Sequence, residues 1–185
     1  MITEPSCHFM PADGALTGNP IIESQKTIGQ LKDIFLDEEA RRQMDQNKTV
    51  YTVRAFLPVE PGTEGGLFFG ITAIEPGAIN EEYFMTQGHF HEVSNRAEYY
   101  WGIKGEGALI LMDQERNCHA EFMHPGSLHY IPAHTAHRVA NTGHTQLVFG
   151  ACWPSDAGHN YEEIKKNGFS CRLLNKNGKP QLIKI

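Results

Sequence analysis

His89, His91, Glu98 and His137 are the residues whose types and spacing could do chemistry. His89 and His91 stand two apart in TQGHFHEVSNRAEYYWGIKG, Thr86 to Gly105. In an extended strand such residues share a face, so both imidazoles project from one wall and Phe90 from the other. Glu98 follows His91 after the six residues EVSNRA, enough for a loop to return a carboxylate on a neighbouring strand beside Tyr100. His137, in GSLHYIPAHTAHRVAN, Gly126 to Asn141, offers a fourth donor. Three neutral imidazoles and one carboxylate suit Fe(II), Mn(II), Ni(II), Co(II) or Zn(II) and leave positions open for a substrate. The ligand set alone does not select among these ions.

The elements that must position these residues read as mostly β. From Thr49 onward, short runs rich in β-branched and aromatic residues alternate with Gly, Pro and Asn punctuation. The pattern predicts strands over 49–54, 67–74, 88–92, 97–104, 108–112, 119–123, 127–131, 137–141, 147–152, 170–174 and 181–185. Many short strands at close spacing point to a small closed or double-sheet barrel with room inside for one ligand. Before them, Ile28, Leu31, Ile34 and Phe35 recur at helical spacing, so one or two short helices are expected between Thr27 and Gln46. Residues 1–22, rich in Pro and Gly without a clear period, read as an arm or loosely packed edge.

A chain of 185 residues with 40% hydrophobic content can bury one sizeable core, and a single domain is expected. Within it, residues 1–48 would form the arm and helices packed on the barrel, and 49–185 the barrel itself. The net charge of −6 and the absence of any long Lys/Arg run argue against nucleic acid or an anionic membrane as partner. Cys7, Cys118, Cys152 and Cys171 are widely spaced with no CxxC pair. With no basic and apolar leader at the N-terminus, they read as the thiols of a reduced, cytoplasmic protein.

HxH, Glu98 and Gly105, followed after 20 residues by Gly126 and then by Pro132, His137 and Asn141, resemble the two-part signature of the cupin barrel. TxGHxH, six residues and ExY, here Thr86, Gly88, His89, His91, Glu98 and Tyr100, more closely resemble the cupin-type phosphoglucose isomerases of archaea and some bacteria. PAxxxHxxxN at Pro132 to Asn141 is similar to that family's second signature, with Ala133 where a second proline is expected. WPSDAGHNYEEIKKNGFS, Trp153 to Ser170, resembles its C-terminal segment.

The resemblance implies an all-β, single-domain cupin, or jelly-roll barrel, with short helices outside it at the N-terminus. It implies metal ligands at His89, His91, Glu98 and His137, and one divalent ion per subunit, Fe(II) being expected first. Thr72, Thr86, Gly88, Tyr100, His159 and Tyr161 would line a sugar-phosphate pocket. Apart from the resemblance, Arg96 reads either as a solvated loop charge or as an added phosphate contact. The implied activity is interconversion of glucose 6-phosphate and fructose 6-phosphate by a homodimer, with Glu98, His159 and Tyr161 as groups able to move protons. A metal-dependent dioxygenase and a non-catalytic sugar-phosphate-binding cupin stay open. His8, His119, His124, His129 and His144 match no ligand position. His134 stands where the general pattern has glycine.

Overall fold

The structure, a computed structural model, describes residues 1–185. The N-terminal strands are β1 (Cys7–Met10), β2 (Ala15–Gly18) and β3 (Ile21–Thr27). A 3₁₀ turn at Gly29–Leu31 and helix α1 (Glu38–Gln43) lead into β4 (Thr49–Phe56) and β5 (Leu67–Ile74). Next come β6 (Ala78–Ile79), β7 (Glu82–Tyr83), β8 (Glu98–Lys104), β9 (Gly107–Met112) and β10 (Cys118–Met123). The chain closes with β11 (Leu128–Ile131), β12 (Ala136–Asn141), β13 (Leu147–Pro154), α2 (Glu162–Asn167), β14 (Cys171–Lys176) and β15 (Lys179–Lys184). No helix is long and apolar enough to cross a membrane.

A six-stranded antiparallel sheet, ordered β11-β8-β13-β5-β4-β3, faces the sheets β10-β9-β12 and β15-β14-β7-β6. Between them lies one core built around Leu109, Ile110, Val139, Phe84 and Phe169. This is the double-sheet cupin barrel. Alternation within β5 shows how the site is placed: Phe68, Gly70 and Thr72 face the internal cavity, while Phe69, Ile71 and Ala73 face outward.

Most expected strands form, with small differences at their ends. The run at 88–92 does not become a ladder. Only His89 and Phe90 make bridges there, to His137 and Asn160, because Gly88 turns with φ 79° just before them. The hydrophobic spacing of 27–46 yields the 3₁₀ turn and α1, whose Asp37 cap accepts a hydrogen bond from the Ala40 backbone N–H.

Of the two readings of residues 1–22, the structure fits the loosely packed edge rather than the free arm. β1 and β2 form a hairpin that lays Leu16, Cys7 and Phe9 on the outward face of the large sheet, against Ile71 and Val148. β3 joins that sheet as its edge, paired with β4. Cys118 and Cys171, 53 residues apart in sequence and 6.3 Å apart between Cα atoms, lie within disulfide-bonding range, because folding sets the starts of β10 and β14 side by side, which spacing cannot reveal. Cys7 and Cys152 remain free thiols.

Leu16 is fully buried, so Leu16→Ala is expected to cost about 2–4 kcal/mol. The checking measurement is urea unfolding, as a lowered midpoint at constant slope. An unchanged midpoint would mean that the hairpin does not pack on the barrel.

Candidate active site

His89 and His137 are locked together by reciprocal backbone bonds. The His89 N–H donates to the His137 carbonyl at 3.3 Å, and the His137 N–H to the His89 carbonyl at 3.1 Å. Their rings lie 4.4 Å apart, and the His91 ring is 5.3 Å from that of His137. Glu98 opens β8 and points into the same space. The ligand-capable atoms of His89, His91, Glu98 and His137 all fall within 4.8 Å of one another. Gly88 makes this close approach possible: a Cβ there would sit 2.8 Å from the Phe169 ring and 3.0 Å from Arg138 Cβ, in a conformation L-residues rarely adopt.

Glu98 Oε1 lies 2.6 Å from His137 Nε2 and 3.3 Å from His91 Nε2. The atoms are close without being aligned: Glu98 Oε1 and His137 Nε2 are both buried and neither has a hydrogen-bond partner. Buried polar atoms left this way are costly unless something satisfies them. A cation at the point where they converge does so, and the donor set fits one. The Nδ1 sides are already engaged, His91 with the Arg96 carbonyl at 2.9 Å and His137 with the Thr135 carbonyl at 3.3 Å. With Nδ1–H donating to these carbonyls, Nε2 keeps its lone pair for the centre.

Without a cation, the ionised carboxylate relies on the same rings as proton donors. Burial pushes the Glu98 carboxyl up, but the charge and hydrogen bonding of His137 and His91 outweigh it and hold the group at about 2, a role a bound cation would take over. Burial, reinforced by the neighbouring imidazoles, lowers His89 well below the ordinary histidine value. At neutral pH Glu98 is therefore ionised and His89 neutral, the forms in which both ligate.

His89, Glu98 and His137 line a cavity of about 380 Å³, within the usual range for small-molecule sites, with His91 behind them. Thr72, Thr86, Gly88, Tyr100, His159 and Tyr161 all line it. The Thr86 hydroxyl oxygen accepts from the Val139 N–H at 3.1 Å, which leaves its proton free for a ligand. His159 and Tyr161 follow β13 at the exposed mouth and stack within 4° of parallel. His159 lies 4.4 Å from the His89 ring. Although it borders solvent, surrounding protein disfavours the charged form of His159 and lowers its pKa.

Arg96 is not in the lining. Its guanidinium is held bidentately by Asp156, at 2.9 and 2.7 Å, so the structure does not bring it to the place expected for a phosphate contact. Sequence reading also missed what β3 and β4 contribute, notably Lys26 and Tyr51. Alternation along 49–54 was the available signal for Tyr51. His129 is satisfied by Glu121 and Ser127 at 2.6 and 2.9 Å. His134 adopts φ 63°, so it performs the left-handed turn for which glycine is usual.

A double-sheet barrel that holds three histidines and a glutamate together at its cavity defines a cupin with a metal-competent centre. The match to known proteins is more specific. The family model for glucose-6-phosphate isomerase matches residues 25–184, and the chain belongs to that family of enzymes. It is 40% identical to the glucose-6-phosphate isomerase of Thermococcus kodakarensis over 85% of this chain and 83% of that one. It is 34% identical to the one from Pyrococcus furiosus over 88% of each. A putative glucose-6-phosphate isomerase of Rhizobium meliloti is 37% identical over 78% of this chain and 68% of its own length. Among solved structures, an oxalate decarboxylase from Bacillus subtilis is similar at TM-score 0.47, with 21% identity over 59% of this chain and 26% of that one.

His137→Ala removes a buried ligand-capable imidazole and is expected to lower bound metal per chain at least about tenfold at limiting metal. His124→Ala, on an exposed turn where Nδ1 meets the Pro125 carbonyl, should leave occupancy unchanged. Elemental analysis after dialysis distinguishes them, and equal metal content in both would show that His137 is not a ligand.

Proposed function

We propose that this protein interconverts glucose 6-phosphate and fructose 6-phosphate with one divalent cation, Fe(II) first, held by His89, His91, Glu98 and His137. The unpartnered pair Glu98 Oε1 and His137 Nε2 carries the metal reading, and family membership carries the substrate reading. The setting proposed is a homodimer in the cytoplasm. A cation bound at the cluster would supply polarisation of the sugar carbonyl and stabilisation of negative charge on the neighbouring oxygens.

The chain's own residues divide the remaining tasks. Hydrogen must move between C1 and C2, and a proton between the two oxygens. Glu98 is the one carboxylate lining the cavity, and a group held at about 2 is a weak base. We assign it as a ligand before a base. His159, with its lowered pKa, is neutral at pH 7 and can accept or return an oxygen proton. Burial raises the Tyr161 phenol, so it remains protonated and able to donate. Burial, with Glu98 adding to it, raises Tyr100 well above the ordinary tyrosine value, so it too serves as a donor. The Thr72 and Thr86 hydroxyls and the Gly88 backbone orient the sugar phosphate.

A coupled assay for glucose 6-phosphate formation from fructose 6-phosphate tests this reading. Turnover is expected without O₂, to fall at least about a hundredfold on strong chelation, and to return with Fe(II) or another first-row ion. Full activity in metal-free protein would contradict the metal reading. Tight sugar-phosphate binding without turnover in any metal would favour the binding module, and O₂ consumption the dioxygenase.

A further inference from the structure

The cavity that must accept a phosphate contains a single fixed cation among its lining residues, and it is not the one the sequence suggested. Arg96 is committed to Asp156. The lining holds one Lys or Arg, Lys26, and Lys26 joins no ion pair. The only carboxylate there is Glu98, whose charge the proposed divalent cation would more than neutralise, so Lys26 is the one protein cation in the lining free to attract a phosphate dianion.

Its placement follows from the strand. Ile22, Ser24 and Lys26 alternate onto the cavity face of β3, while Glu23 on the opposite face pairs with Arg54 at 3.1 Å. Lys26 stands directly across from Tyr51. The Tyr51 hydroxyl meets the backbone N–H of Gln87 at 3.5 Å, between Thr86 and Gly88. Lys26 therefore flanks the side chain that spans from the large sheet to the segment carrying the threonine hydroxyl and leading into His89. The β3–β4 register also shifts between Lys26 and Thr27. Such a shift re-aims side chains beside a site. The four-carbon stem, half-buried, can carry the ammonium inward from the edge strand.

From this geometry we infer that Lys26 recognises the phosphate group of the substrate and makes the site select phosphorylated sugars over free ones. The inference rests on the proposed sugar-phosphate reading. It assigns a specificity role to the edge strand β3, which the barrel proper does not supply. Lysines on edge strands also discourage strand addition, and that role alone predicts no change in substrate affinity.

The test is Lys26→Ala in the metal-loaded, full-length enzyme, with Lys26→Arg as the conservative variant. The KM for fructose 6-phosphate is expected to rise about tenfold or more with kcat within about threefold, since one charge-assisted contact is lost. Arginine should restore most of the affinity. In calorimetry, Lys26→Ala should weaken fructose 6-phosphate and inorganic phosphate while leaving the weak binding of fructose unchanged. This arm stands even if the wild-type protein proves not to turn over, so failure of the isomerase reading and failure of the Lys26 assignment are separable. Should Lys26→Ala lower the melting temperature, Lys26→Gln, which keeps length and polarity, replaces it. Unchanged KM and unchanged phosphate affinity in the folded variant would overturn the inference, as would equal weakening of fructose.

Discussion

Everything about this molecule turns on a carboxylate, Glu98, held almost wholly out of water among three imidazoles. Taking that charge from solvent is expensive on its own. The cost is met by convergence: His137 and His91 approach one side of it, and His89 closes the cluster through its backbone pairing with His137. A hydrogen-bonded network of the same composition would be stable but inert. Here the oxygen and nitrogen approach closely without aligning, a geometry that favours a cation over a proton between them.

The barrel exists to enforce that convergence. Glu98 comes from the large sheet, His137 from β12 of the opposing sheet, and His89 and His91 from a segment too irregular to be a strand. Three separate stretches of chain must therefore be fixed to within fractions of an ångström. Gly88 allows the segment to lie against Phe169, and the Arg138 guanidinium stacks on the same ring at 4.2 Å while donating to the Cys171 carbonyl at 3.1 Å. Arg138 is fully buried, and burial, with Arg172 nearby, lowers its pKa to about 9. It remains charged at pH 7, so Phe169 and the Cys171 carbonyl act as its solvation shell in the packing behind the site.

What was legible in the sequence was local or periodic. His89 and His91 could be placed on one wall because the strand period is two, and Glu98 and His137 because their spacing from them matched a known pattern. Helix α2 was equally legible and went unread: Glu162 and Glu163 occupy its first turn, Lys165 and Lys166 its last, and Gly168 with φ 63° ends it. Other features had no local signal. Arg96 meets Asp156, and Cys118 meets Cys171, only because the fold juxtaposes residues more than fifty positions apart. β3 was hidden for a different reason. IIESQKT presents one face to the cavity rim and the other to solvent, so it lacks the apolar alternation that marks a half-buried strand.

The most direct measurement is a crystal structure of the protein loaded with Fe(II) or Mn(II), with anomalous diffraction collected at the absorption edge of that ion. One peak per chain is expected, bonded to His89, His91, Glu98 and His137 at roughly 2.0–2.2 Å, the range of nitrogen and carboxylate ligands to such ions. The Nδ1 atoms of His91 and His137 should still face the Arg96 and Thr135 carbonyls. A peak elsewhere, or a cluster that remains metal-free at saturating ion with Glu98 rotated into an aligned hydrogen bond to His137, would contradict the account.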